Sequence, residues 1–268
     1  MKIFLDSADI DEIKQFYEWG IADGITTNPS LLKKAVARHK GLDMKGYLTE
    51  ILTIAKGTPV SLEVTEISAE GMIAEGKKLY KMFNPVAGNV VIKIPVNSAT
   101  KEDDKEQFAG IEAIKALAGE GIPINCTLIF TPEQALLAAK AGAAYVSPFA
   151  GRVDDLLRSN AKIKFEKTDY FDMDGIDKNG EGLDDQGIVS GVDLVAECVD
   201  IIEHYGYKTE VLAASLRNPR QVRECALVGA HVATLPFDVV KDMLKHEKTF
   251  EGMRNFMKDV VKEYAELK

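Results

Sequence analysis

Eight short apolar runs, each followed by a stretch of helical periodicity, pace this chain from end to end, and few folds can use such a rhythm. The runs cover residues 3–5, 22–26, 60–64, 90–94, 122–127, 144–147, 210–214 and 231–235. They are short and almost continuously apolar, as parallel strands covered on both faces are. The alternation predicts one α/β domain over residues 1–268, a (β/α)8 barrel with its strands inside and its helices outside. Helix-start signals fall where that arrangement needs them. Asp9 precedes Ile10, Ile13, Phe16 and Tyr17 at helical spacing, and Thr131-Pro132 and Asn218-Pro219 each pair a capping side chain with proline at the first helical position. Helices are also expected over 68–83 and 101–119 and around 192–202, with an interrupted one from Pro29 to Ile54 broken at Gly41 and Gly46.

Two segments exceed the pattern. Residues 155–190 hold Asp172, Asp174, Asp177, Asp184 and Asp185 among four glycines, and are expected to form an extended loop, either a lid or a mobile surface. Asp177, Asn179, Glu181 and Gly182 are spaced like part of a calcium loop, but Ile188 stands where the bidentate glutamate belongs, so a solvated acidic loop is the expectation. At the other end Phe250, Met253, Phe256, Met257, Val260, Val261 and Tyr264 form a helical apolar stripe that either closes the barrel's base or docks on another subunit.

A formal net charge of −9 opposes nonspecific nucleic-acid binding. No apolar segment suits a membrane span or a signal peptide, which makes the cytoplasm the expected compartment. Cys126, Cys198 and Cys225 form no Cys-x-x-Cys pair, and His39, His204, His231 and His246 are scattered, so neither a metal nor another cofactor is expected.

In a barrel the C-terminal ends of all strands meet at one face, so polar residues that close apolar runs surround one pocket. Here they are Asp6, Thr27 with Asn28, Glu63, Lys93, Asn125 with Thr127, Ser147, and Ser215 with Arg217. Asn125 and Thr127 share a strand face while Cys126 points the other way. Lys93, inside Val90-Val91-Ile92-Lys93-Ile94-Pro95, is the most telling of them. Burying an unpaired ammonium is costly and favours the free amine, which attacks carbonyls. The alternative is a buried salt bridge to Asp6 or Glu63. If the amine adds to a ketone, the resulting iminium withdraws electrons and a neighbouring carbon–carbon bond can break. Asp6 is placed to move the proton of the departing hydroxyl, and Glu63 with Thr127 to position water. Arg217 beside Ser215, with Arg152 after the sixth run, suits a phosphoryl terminus.

Seven stretches resemble the transaldolase family in its short bacterial and archaeal branch, which also contains fructose-6-phosphate aldolases. They are Phe4-Leu5-Asp6, Ile25-Thr26-Thr27-Asn28-Pro29-Ser30, Val91-Ile92-Lys93-Ile94-Pro95, Asn125-Cys126-Thr127, Val146-Ser147-Pro148-Phe149, Gly151-Arg152-Val153-Asp154 and the run from Val211 to Pro219 containing Ala214-Ser215-Leu216-Arg217. The resemblance implies a TIM barrel of the class I aldolase type, with Lys93 as the Schiff-base lysine, Asp6 as the proton-transfer carboxylate, and Glu63 with Thr127 holding the catalytic water. It implies that Thr27, Asn28, Asn125, Ser147, Phe149 and Ser215 surround the dihydroxyacetone unit, and that Arg217 and Arg152 bind phosphate. The implied activity moves dihydroxyacetone from fructose 6-phosphate or sedoheptulose 7-phosphate to an aldose phosphate, a step of the pentose phosphate pathway. The implied assembly is a homo-oligomer, a decamer of stacked five-membered rings. Fructose-6-phosphate aldolases carry glutamine and tyrosine where this chain has Glu63 and Phe149. Lyase activity is therefore the alternative reading, and a noncatalytic sugar-phosphate-binding barrel is the alternative of another class. Residues 155–190 depart from the family pattern; they reach across the pocket mouth or lie against a neighbouring subunit.

Overall fold

A computed structural model describes residues 1–38, 43–101, 105–178 and 180–267. The first half runs β1 (Lys2–Asp6), α1 (Ile10–Glu18), β2 (Gly24–Thr26), α2 (Pro29–Arg38), α3 (Met44–Ile54), β3 (Val60–Glu63), α4 (Ala69–Ala87), β4 (Val90–Pro95) and α5 (Ala109–Gly119). It continues with β5 (Ile124–Ile129), α6 (Pro132–Ala141), β6 (Tyr145–Pro148), α7 (Ala150–Asn160), the two-residue strands β7 (Asp177–Lys178) and β8 (Glu181–Gly182), and α8 (Gly191–His204). β9 (Glu210–Ala213), α9 (Pro219–Leu227), β10 (Val232–Leu235), α10 (Phe237–Asp242), α11 (Glu247–Lys258) and α12 (Lys262–Ala265) complete the chain.

Eight of the strands close on themselves in the order β1-β10-β9-β6-β5-β4-β3-β2, every pair parallel, so the expected (β/α)8 TIM barrel is the fold observed. Its main core lies between the strands and the helix ring, where Ile25, Ile92, Ile94, Ile124 and Val146 meet Phe16, Ile51, Met72, Ile114 and Leu117. A second, small cluster of Phe4, Leu212, Ala214 and Val232 lies apart from it. Phe4 needs room there: a Cβ on Gly24, its register partner in β2, would stand 2.7 Å from the Phe4 ring.

Helix starts follow the capping signals. Asp9 accepts from the Asp11 and Glu12 amides, Thr131 forms a capping box with Gln134, and Asn218 caps α9 ahead of Pro219. Gly46 does not break a helix. It sits in the first turn of α3, where its N–H donates to the Asp43 side chain at 2.6 Å, while Gly41 and His39 lie outside the described residues. The helix expected over 101–119 narrows to α5, preceded by one tight turn at Lys105–Phe108. Gly110 shows why α5 can pack where it does: a Cβ there would meet the Pro95 carbonyl oxygen at 2.0 Å and that of Val96 at 2.5 Å. Gly110→Ala is expected to cost about 1–3 kcal/mol by overpacking. A urea midpoint lowered without a change in slope would register that loss, and a wild-type midpoint would contradict it.

The excursion after β6 begins later than the sequence suggests. Residues 155–160 complete α7, because Asp154 and Arg158, polar in sequence, are buried with partners from distant segments. Asp154 accepts from the Gly191 N–H and from Gln221 Nε2, each at 2.7 Å. Burial pushes its carboxyl up to about 6, against the pull of the Gly191 amide and Arg158. The described residues between 161 and 190 then pack back on their own chain. Arg158 lies between the Phe165 and Phe171 rings, Arg220 stacks on Tyr170 at 3.5 Å, and Tyr170 Oη donates to Glu224 Oε1. Of the calcium-like spacing, Asn179 lies outside the described residues, and Asp177 Oδ1 accepts from the Gly180 N–H.

α11 and α12 bury none of their described side chains, and Phe256, Met257 and Tyr264 are each about two-thirds exposed at 70%, 68% and 66%. The stripe therefore does not close the barrel's base. Among the described residues no helix is long and apolar enough to cross a membrane.

Candidate active site

Strand periodicity of two assembles the site. Asp6 is in register with Thr26, Glu63 with Lys93, and Lys93 with Asn125, so three neighbouring strand pairs place polar side chains at one level. A cavity at this end of the barrel is lined by Asp6, Thr26, Asn28, Lys93, Ser147, Phe149, Arg152, Ser215 and Thr234, with Leu212 and Ala214 as its apolar floor.

Lys93 is 6% exposed. Its Nζ stands 3.1 Å from Glu63 Oε2 and donates to the Thr27 carbonyl at 3.2 Å. The ammonium is thus paired, and the salt-bridge expectation, with Glu63 as its partner, describes the structure better than an unpaired charge. A lysine so held still lines the cavity, and its neighbouring carboxylate is a ready acceptor for the proton that a nucleophilic amine must lose.

Asp6 is held by Thr26, whose Oγ1 donates to Oδ1 at 2.8 Å. Thr26 in turn shares a 2.6 Å hydroxyl–hydroxyl bond with Thr234. Lost hydration pushes the Asp6 carboxyl up from the ordinary carboxylate value, although Lys93, the Thr26 hydroxyl and Arg152 all pull it down. A carboxyl raised above its ordinary range holds a proton more readily than an exposed aspartate does.

Asn125 bridges two strands: its amide nitrogen donates to Ser61 Oγ at 3.1 Å, and its Oδ1 accepts from Ser147 Oγ at 2.6 Å. Cys126 faces the outer core, as its parity requires. Thr127 Oγ1 is buried with no hydrogen-bond partner among the described residues. It stands at an irregularity, where the β5–β6 register shifts between Cys126 and Ile129 and Leu128 adopts φ +59°. Thr27 turns its hydroxyl away from the cavity, to the Ser61 carbonyl at 2.7 Å. What it offers the site is its own carbonyl oxygen. Asn28 accepts from the Leu31 N–H through Oδ1 while lining the cavity, so its amide N–H groups are what it can offer a ligand.

Phe149 and Arg152 form one end of the cavity, the guanidinium lying over the ring at 4.8 Å. α7 starts here without a side-chain cap, which sets the positive end of its dipole beside Arg152, although the Arg152 and Val153 N–H groups already donate to the Phe149 carbonyl. Ser215 follows β9 at φ +62°, a conformation costly for a residue with a Cβ, and its hydroxyl accepts from Arg217 Nε and Nη2. Arg217 is held off the wall of this cavity. Its Nη2 pairs with Asp155 at 3.1 Å.

Among the described residues no group of three or more His, Cys, Asp or Glu side chains is arranged to hold a metal. Sequence reasoning missed Thr26, Ser61, Thr234 and Asp155. The first three lie on strands already assigned, and Ser61 shares the strand face of Glu63, so extending the parity argument one step deeper into each strand would have found them.

Fold and site together define a (β/α)8-barrel enzyme whose charged and hydroxyl side chains converge at one mouth of the barrel. More particularly, the chain belongs to the transaldolase/fructose-6-phosphate aldolase family, whose model matches residues 3–268. It is similar to proteins named probable transaldolase from Aquifex aeolicus (strain VF5), 42% identical over 259 residues that cover 97% of this chain and 96% of that protein, and from Methanococcus vannielii, 44% identical with 97% of each covered. A third, from Chlorobaculum parvum, is 41% identical over 262 residues, again with 97% of each covered.

Proposed function

We propose that this enzyme is a transaldolase that carries dihydroxyacetone on Lys93 as a Schiff base. The observation that carries the reading is the placement of Lys93 and Asp6 on one cavity wall with Glu63 3.1 Å from the lysine nitrogen. Lys93 hands a proton to Glu63 and its free amine adds to the donor's ketone; loss of water then leaves the iminium. Asp6 takes the proton from the hydroxyl on the far side of the scissile bond, that carbon leaves as an aldehyde, and the bonding pair moves into the enamine. The enamine attacks the aldehyde carbon of the incoming acceptor, Asp6 returns the proton, and water held by Glu63 and the unpartnered Thr127 hydroxyl releases the product. A buried hydroxyl without a partner costs about 1–3 kcal/mol, which a bound water would relieve.

Asn28 N–H groups and the Asn125–Ser147 pair suit the hydroxyls of the donor unit. Arg152, Ser215 and the uncapped start of α7 suit a phosphoryl group, with Arg217 in reach. The natural substrates would then be fructose 6-phosphate or sedoheptulose 7-phosphate as donor and an aldose phosphate as acceptor. Glu63 and Phe149 favour transfer over simple cleavage, and the names of the relatives agree. The exposed apolar stripe on α11 and α12 supports assembly with further copies of the chain.

Incubation with fructose 6-phosphate and erythrose 4-phosphate is expected to yield sedoheptulose 7-phosphate and glyceraldehyde 3-phosphate. Slow release of free dihydroxyacetone without any seven-carbon product would assign a lyase, and saturable binding with neither would leave a noncatalytic barrel.

A further inference from the structure

We propose that Asp155 is a counter-ligand of Arg217: it clasps the guanidinium beside the cavity and competes for it with the phosphoryl end of a sugar phosphate, an inference that rests on the reading of Arg217 as a phosphate ligand. In the structure Arg217 Nη2 donates to Asp155 Oδ2 at 3.1 Å and to Ser215 Oγ at 3.2 Å, while Nε donates to the Ser215 carbonyl at 3.0 Å. Among the described residues the cavity wall includes Arg152 and Ser215 but not Arg217. Of the two arginines that follow strand ends at this mouth, Arg217 is therefore the one committed to a carboxylate.

The clasp is built to let go. Asp155 Oδ1 is buried without a hydrogen-bond partner among the described residues, so only half of the carboxylate is satisfied. Both side chains remain partly open, 18% for Arg217 and 23% for Asp155, so solvent and a ligand can reach the pair. A phosphoryl group offers more charge and a bidentate geometry. The place to which Arg217 would move is adjacent. Gly151 and Asp155 lie four residues apart on α7 and share a helix face. A Cβ at Gly151 would stand 2.2 Å from the Ser215 carbonyl oxygen and 2.8 Å from Arg217 Nε. The guanidinium thus rides along that face, with a carboxylate one turn in and the uncapped, anion-attracting helix start at the end. An unphosphorylated sugar offers nothing to exchange for Asp155. The clasp consequently holds down the affinity for phosphorylated substrates and leaves that for unphosphorylated sugars unchanged.

Calorimetric titration with inorganic phosphate, which needs no turnover, tests this on the wild type, Asp155→Asn, Asp155→Ala, Arg217→Ala and the Asp155→Asn/Arg217→Ala double variant at fixed ionic strength. Loss of the competing charge is expected to tighten phosphate roughly three- to fivefold in either Asp155 variant, and the gain should vanish once Arg217 is absent. In turnover, the Asp155→Asn ratio of kcat/KM for fructose 6-phosphate over fructose should rise by the same factor, through KM. Unchanged or weaker phosphate binding in both Asp155 variants, with Arg217→Ala still weakening it, would overturn the clasp and leave the phosphate reading standing. Phosphate binding indifferent to Arg217→Ala would overturn both.

Discussion

Replacing Lys93 by methionine is expected to lower kcat/KM by about 10⁴-fold or more and to abolish borohydride trapping of the donor, because the bond-forming nitrogen is gone while the length and apolar stem of the side chain remain. In the wild type, reduction in the presence of fructose 6-phosphate should add the mass of the donor fragment to the peptide containing Lys93. Glu63 loses its partner in this variant. Its side chain is 17% exposed, against 7% for that of Lys93, so the orphaned carboxylate keeps some hydration and the stability loss should fall short of the roughly 3–5 kcal/mol seen when a fully buried pair is broken. A melting curve close to wild type with no adduct and no turnover separates lost chemistry from lost fold. Trapping at another lysine, or transfer activity surviving in Lys93→Met, would remove the mechanism.

Lys93 was legible in the sequence because a charge inside an apolar run contradicts its surroundings, and Asp6 and Glu63 because each closes such a run. Thr26, Ser61 and Thr234 contradict nothing. Small hydroxyl side chains are ordinary in strands, and only the three-dimensional register shows Thr26 hydrogen-bonded to Asp6 and Thr234, and Ser61 to Asn125. The barrel followed from period and length, both local properties. α7 did not, because its buried face includes Asp154 and Arg158, whose compensating partners are Gly191, Gln221 and Asp169, far along the chain or inside the apparent loop. Asp155 is hidden for the same reason, since the sequence pattern sets it at the start of the acidic loop and the structure sets it in α7. The apolar stripe after residue 247 was readable as a helix but not as an exposed one, since the spacing of its side chains does not say what covers them.

Asp6→Asn should reduce kcat by about 10²–10⁴-fold and, at neutral pH, make the folded protein more stable. The rate falls because an amide can neither take the proton from the departing hydroxyl nor return it, although its oxygen can still accept the Thr26 hydrogen bond. The stability change follows from the direction of the pKa shift. Burial holds the Asp6 carboxyl above its unfolded value, so the folded state keeps its proton longer than the unfolded state does. Stability therefore declines as pH rises from the ordinary carboxylate range through the raised folded value, and the penalty persists at every higher pH. Asparagine carries no such penalty, so wild type and variant should have similar melting temperatures at low pH and diverge in the variant's favour as Asp6 ionises. Catalysis needs the opposite state. In the proposed mechanism cleavage requires ionised Asp6, so the acid limb of the wild-type kcat profile should lie above the usual carboxylate range and be missing from whatever activity the variant retains. A variant destabilised at neutral pH, or one whose residual rate keeps the same acid limb, would place the titrating carboxylate elsewhere.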